Sequence, residues 1–151
     1  MVVLNITEGV STNMNSDNHD NHDNDDTHHP LNKEWVIWAH LPHNTDWSIN
    51  SYVKIATFKV LEDAIAVTEN LPNKLIENCM LFIMRKGINP TWEDPLNRNG
   101  GFFSYKVMSK HLHKCWKELT YTLVGNTLCN NVDFQNKICG VTVSPKKNFS
   151  I

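Results

Sequence analysis

Between Glu34 and His40 apolar side chains occupy both sides of an extended chain, with Trp35, Ile37 and Ala39 alternating against Val36 and Trp38. That pattern predicts a strand covered on both faces. A polar stretch, Leu41 to Asn50, follows and holds the isolated Trp47. Tyr52 to Phe58 alternates again and predicts a second strand. From Leu61 to Leu71 the apolar positions Leu61, Ala64, Ile65, Val67 and Leu71 take helical spacing, and Glu62 and Asp63 in the first turn suit the helix dipole. Pro72-Asn73 is expected to end that helix. Cys79 to Met84 is an unbroken apolar run and a third strand. Lys86-Gly87 turns the chain into a loop, Ile88 to Arg98, interrupted by Pro90 and Pro95. Asn99-Gly100-Gly101 signals a turn into a strand from Phe102 to Val107. Ser109 reads as the N-cap of a long helix reaching Val124, with Leu112, Trp116, Leu119 and Leu123 as its apolar stripe and Gly125 as its C-cap. Ile138 to Val143 makes a fifth strand. Strands outnumber helices and their connections are short, so the expected class is α+β: a curved antiparallel sheet with helices packed on one face.

Charge divides the chain. Residues 1–29 hold six acids and no Lys or Arg, whereas the remainder holds ten acids against 14 bases. The overall balance of −2 therefore conceals an acidic tail on a mildly basic domain. Ser11 to Thr27 is Asn, Asp, His, Ser and Thr with little to bury, so residues 1–28 are expected to form a disordered tail, with a single domain over 29–151. The four cysteines lack CxxC spacing and read as reduced thiols. The apolar start at Met1 is too short for a signal peptide, and no run approaches the length of a membrane span. GxSxG, phosphate-loop and HExxH patterns are lacking. His111 and His113 diverge on a helix and cannot share a metal. An enzyme, a metal and a cofactor are accordingly not expected.

The loops carry the candidate chemistry. Trp47 and the tetrad Thr91-Trp92-Glu93-Asp94 lie in polar, proline-bounded segments, which favours exposure over core packing. Trp35, Trp38 and Trp116 sit in regular elements and are expected to pack. Two exposed indoles suit a flat cationic heterocycle such as a purine methylated at N7, whose delocalised charge strengthens stacking. Stacking does not select guanine. The guanine edge presents N1–H and N2–H as adjacent donors, and one carboxylate accepts both in a charge-assisted pair. Trp92 and Glu93 adjoin, so one loop supplies both a face and an edge reader.

These residues resemble the eukaryotic translation initiation factor 4E family, the mRNA cap-binding proteins. The landmarks are His29-Pro30-Leu31 before Trp35-x-x-Trp38, then Trp47, Leu61-Glu62-Asp63, Gly87-Ile88-x-Pro90-x-Trp92-Glu93-Asp94, Asn97-x-x-Gly100-Gly101 and Cys139-Gly140. The resemblance runs from His29 to about Val143. It implies that Trp47 and Trp92 stack on the 7-methylguanine of the cap, that Glu93 reads its edge, and that the Trp92 backbone amide meets O6. It further implies a peptide-docking surface at His29, Pro30, Leu61, Ile65, Glu118, Tyr121 and Gly125, taking a translation scaffold protein or 4E-binding repressor peptides. Capped mRNA is the implied ligand, with no membrane or DNA partner, in the cytoplasm or nucleus.

Three departures from the family pattern stand out. Phe102 occupies the place of a basic residue that helps hold the cap phosphates; Lys146 and Lys147 are the remaining candidates for that role. Ile65 replaces a docking tryptophan, and Lys117 and Tyr121 replace aliphatic residues. The sequence also stops where the family continues with more strands, a third helix and another tryptophan, which implies either a fragment or a reduced variant, with an open sheet edge and low stability. A second reading stays open: an interaction or decoy protein with weakened cap binding, or an inactive fragment.

Overall fold

The computed structural model describes residues 28–146 with their side chains, and residues 2–6 and 149–150 as strand backbone. In chain order the elements are β1 (Val2–Ile6), β2 (Pro30–His40), β3 (Tyr52–Val60), α1 (Leu61–Asn70), α2 (Asn73–Asn78), β4 (Met80–Arg85), α3 (Pro95–Arg98), β5 (Gly101–Tyr105), β6 (Val107–Met108), α4 (Leu112–Val124), α5 (Val132–Lys137), β7 (Ile138–Val143), β8 (Pro145–Lys146) and β9 (Phe149–Ser150). Six strands form one sheet in the order β3-β2-β4-β7-β1-β5, and every neighbouring pair is antiparallel. The short strands β6, β9 and β8 make a second sheet.

Strand periodicity sorts the core between the two faces of the large sheet. Trp35, Ile37 and Ala39 of β2 join Leu81 and Ile83 of β4 in a buried cluster with Ala64 of α1 and Leu112, Trp116 and Leu123 of α4. That side is the helix-covered face, and the stripe expected on α4 is the one that packs there. The alternate residues face the other way. Phe82, Met84, Ile88 and Cys139 form a smaller cluster against Trp38, Tyr52 and Met80. Because β7 lies between β4 and β1, all six of its residues are buried. Gly140 is required there: a Cβ would stand 2.4 Å from the Ile83 carbonyl oxygen of β4. The expected α+β arrangement, an antiparallel sheet with helices, is the one observed.

Several local expectations need correction. Val2–Ile6, assigned to a disordered tail, forms β1, paired with β7 on one side and β5 on the other. Residues 7–27 lie outside the described residues. Pro72-Asn73 separates α1 from a second short helix, α2, rather than closing the helical region. The stretch expected as one strand from Phe102 to Val107 is divided between β5 and β6. Ser109 opens a 3₁₀ turn, Ser109–His111, and α4 begins at Leu112 without a side-chain cap. At its other end Gly125 is the C-cap, its N–H donating to the Tyr121 carbonyl at 2.9 Å. Helix α5 was not foreseen, although Asn131 caps it by accepting the Phe134 N–H at 3.0 Å. Cys79 and Cys139 are buried, Cys115 and Cys129 partly so. Among the described residues no helix is long and apolar enough to cross a membrane.

Candidate functional site

Two loops converge on the face of the sheet opposite the helices. The first joins β2 to β3 and is folded back by a turn in which His43 takes a left-handed φ of 65°. Asp46 fixes its far end, its carboxylate accepting the Ser48 N–H at 2.8 Å and the Ser48 hydroxyl at 3.0 Å. Those two hydrogen bonds hold the Asp46 carboxyl below the usual range. Trp47 stands between these residues and is 53% exposed. One face of its indole lies on the His40 ring, with centroids 4.1 Å apart and planes 3° from parallel. His40 is buried, and its Nε2 is 2.8 Å from the Asp46 carbonyl. A carbonyl only accepts, so Nε2 carries the hydrogen.

The second loop leaves β4 through Gly87, whose φ of 90° suits glycine alone. Asp94 pins it from within: its carboxylate accepts the Asn89 N–H at 2.8 Å and the Leu96 N–H at 3.0 Å, the latter capping α3 ahead of Pro95. Asn97 adds two bonds, its Nδ2 donating to the carbonyls of Asn89 (2.7 Å) and Thr91 (2.8 Å). Asp94 and Asn97 are buried, so the backbone under Trp92 and Glu93 is tied down while both side chains stay exposed. Trp92 is 61% exposed.

Between the loops lies a cavity of about 600 Å³ lined by Trp47, Ser48, Ile49, Asn89, Thr91, Glu93, Asp94 and Pro95. Trp47 and Glu93 thus share one cavity. The Trp92 indole is not part of the lining, although its chain neighbours on both sides are. Tyr52 of β3 links the parts: its ring is 5.0 Å from His40, and its hydroxyl pKa is raised by burial and, secondarily, by the Glu93 charge. A smaller cavity of about 240 Å³ lies on the His40 side of Trp47 and is lined by His43, Asn44 and Lys146 among others. Lys146 therefore borders Trp47 but not the Glu93 cavity, and Lys147 lies outside the described residues. Phe102 is exposed in a separate hollow with Phe103, Phe134 and Lys137.

The expected peptide surface is on the helix side. His29 meets α1 through its Nδ1, 2.7 Å from Glu62, and its carbonyl accepts the Leu61 N–H at 2.8 Å. That contact drives the Glu62 carboxyl down to about 2. Pro30 is exposed beside it. Between α1 and α4, Glu69 accepts from the Tyr121 hydroxyl (2.6 Å) and the Lys117 ammonium. Burial, followed by the Glu69 hydrogen bond and charge, pushes Tyr121 up to about 12. Ile65 is 42% exposed, Glu118 is exposed, and Gly125 closes α4 nearby. His29, Pro30 and Leu61 are brought together, and Tyr121 is joined to α1 across the same two helices.

Sequence reasoning missed His40, Asp46 and the pinning roles of Asp94 and Asn97. Asp94-Pro95 did carry a readable helix-start signal. Nothing local in the sequence tied His40 to Trp47.

An antiparallel sheet with helices on one face and tryptophan-bearing loops around a carboxylate-lined cavity on the other defines an α+β domain. The family model described as Eukaryotic initiation factor 4E matches residues 30–151, and the chain belongs to that family. It is 30% identical over 128 residues to the eukaryotic translation initiation factor NCBP of Triticum aestivum, covering 82% of this chain and 53% of the relative. With eukaryotic translation initiation factor 4E-2 of Schizosaccharomyces pombe it shares 32% identity over 131 residues, covering 80% and 51%. The chain thus spans about half the length of these curated relatives. Among solved structures, a schistosome eIF4E complexed with m7GpppG and 4E-BP superposes with a TM-score of 0.73 at 26% identity, covering 83% of this chain and 70% of that one.

Proposed function

We propose that this domain binds the 7-methylguanosine cap of mRNA and serves in translation initiation as a recognition module without catalysis. The observation that carries the proposal is the shared cavity of Trp47 and Glu93. An exposed indole face stands there near a carboxylate, the pairing that a cationic purine with two edge donors requires. Trp47 supplies one stacking face and Glu93 accepts from N1–H and N2–H. Trp92, exposed on a loop whose flanking residues line the cavity, closes on the second face, and its backbone amide meets O6. Lys146 is the candidate for the cap phosphates, with Lys147 beside it in sequence. The schistosome relative, solved with m7GpppG and 4E-BP, supports both a cap ligand and a protein partner.

The helix-side surface at His29, Pro30, Leu61, Ile65, Glu118, Tyr121 and Gly125 is proposed to receive a scaffold or repressor peptide. Its specificity is altered, because Glu69 already engages Tyr121 and Lys117 where an incoming chain would lie. One observation favours the second reading of weakened cap binding: Phe102 offers no charge to a phosphate and faces a different hollow. Retention on cap-analogue resin separates the two. Elution by 7-methyl-GTP and not by GTP is expected; passage through the resin with folded protein removes the cap-binding proposal.

A further inference from the structure

The tryptophan that offers one face to the cavity has its other face covered by an ionisable ring. We propose that His40 is a positioning residue whose charge state sets how strongly Trp47 favours a cationic ring over a neutral one; this rests on the cap-binding reading. Three observations carry it. The two rings are stacked in parallel at 4.1 Å, so the imidazole sits on the indole π-system and not at its edge. His40 is only 2% exposed, which keeps water from screening whatever charge it carries. Its Nε2–H is committed to the Asp46 carbonyl at 2.8 Å, so a further proton enters at Nδ1 without breaking the bond that orients the ring.

A neutral imidazole leaves the far indole face electron-rich for a methylated purine. An imidazolium occupies the same π-system with a positive charge and repels a second cation across the indole, while a neutral guanine ring loses far less. Histidine is the side chain that changes charge near neutrality. Other charged or titratable groups bear on this ring. Asp46 comes from the same loop; Tyr52 lies 5.0 Å away on β3, with Glu93 beyond it; His43 and Lys146 share the cavity on its side of Trp47.

The test measures affinity for 7-methyl-GTP and for GTP from about pH 8 to about pH 5.5. It compares the full chain with His40→Phe, which keeps a stacked ring without a proton, and His40→Gln, which keeps a donor for the Asp46 carbonyl. Circular dichroism selects the variant and pH points that remain folded. In the wild type the preference for the methylated nucleotide is expected to fall about tenfold on acidification. In whichever variant folds it is expected to stay flat beyond the change that the nucleotides' own ionisation imposes on both proteins. Parallel profiles in wild type and variant overturn the role of His40 and leave cap binding standing. Absence of nucleotide binding at every pH in folded wild type overturns the cap reading and this inference together.

Discussion

Four of the five tryptophans divide between two regions that treat the same side chain in opposite ways. On the helix-covered face Trp35 and Trp116 are sealed in the large cluster shared by β2, β4, α1 and α4. On the loop face Trp47 and Trp92 stand in solvent, above backbone that is itself locked by Asp46, Asp94 and Asn97. Burying an aromatic ring stabilises a fold, whereas exposing one forgoes that gain. Loops pinned by internal hydrogen bonds that still expose an indole are what the proposed recognition of another molecule requires. The hidden pair belongs to the core, and the exposed pair is the one proposed above for recognition.

Substitutions can break this division. Trp116→Ala removes a fully buried indole and is expected to cost about 3–5 kcal/mol by urea unfolding. Trp92→Ala should leave the free energy of urea unfolding within about 0.5 kcal/mol of wild type. A Trp92 variant as unstable as the Trp116 variant would abolish the distinction. Within the recognition region Glu93→Ala is expected to weaken 7-methyl-GTP binding by about 1–3 kcal/mol, because two ligand donors lose their acceptor. Isothermal titration calorimetry measures it, and an unchanged enthalpy and affinity would remove Glu93 from the site.

Much of the helix-covered side was legible in the sequence, since strand alternation and helix periodicity are local. The Trp35-Ile37-Ala39 face and the Leu112-Trp116-Leu119-Leu123 stripe were both readable before any tertiary contact was known. Strand β1 was not. Its pairing joins Val2 to Val143 and Tyr105, contacts that no local pattern encodes, across a polar segment that read as a tail. Helix α2 is six residues long with Pro72 as N-cap and no side-chain cap bond, too brief for a periodic signal. Ser109 misled because a cap residue also starts a 3₁₀ turn. For the site, the residue types in the loops and the family pattern identified Trp47, Trp92 and Glu93 as candidates. The His40 stack escaped notice because it depends on the turn at His43 bringing the loop back over β2.

Smaller effects sharpen the comparison further. Asp94→Ala removes the acceptor for two loop amides and is expected to cost about 1–2 kcal/mol of stability and to weaken nucleotide binding in parallel. Urea unfolding and calorimetry on the same variant test that coupling; lost stability with intact binding would mean that the Trp92 loop needs no pinning. On the opposite face the His29–Glu62 contact yields the weakest prediction. The folded value of Glu62, about 2, lies below its ordinary 4.5. Its contribution is therefore whole above about pH 4.5 and disappears as pH falls toward 2. Thermal melts of wild type and Glu62→Gln should differ slightly near neutrality and converge in acid, with no change in nucleotide affinity.

The most direct test is quenching of intrinsic tryptophan fluorescence by 7-methyl-GTP, compared among wild type, Trp47→Ala and Trp92→Ala. Saturable quenching in the wild type that is lost in both folded variants is the predicted result. Quenching of equal depth and midpoint in all three proteins would contradict it, because the indoles responding to the nucleotide would then be neither of the two exposed ones.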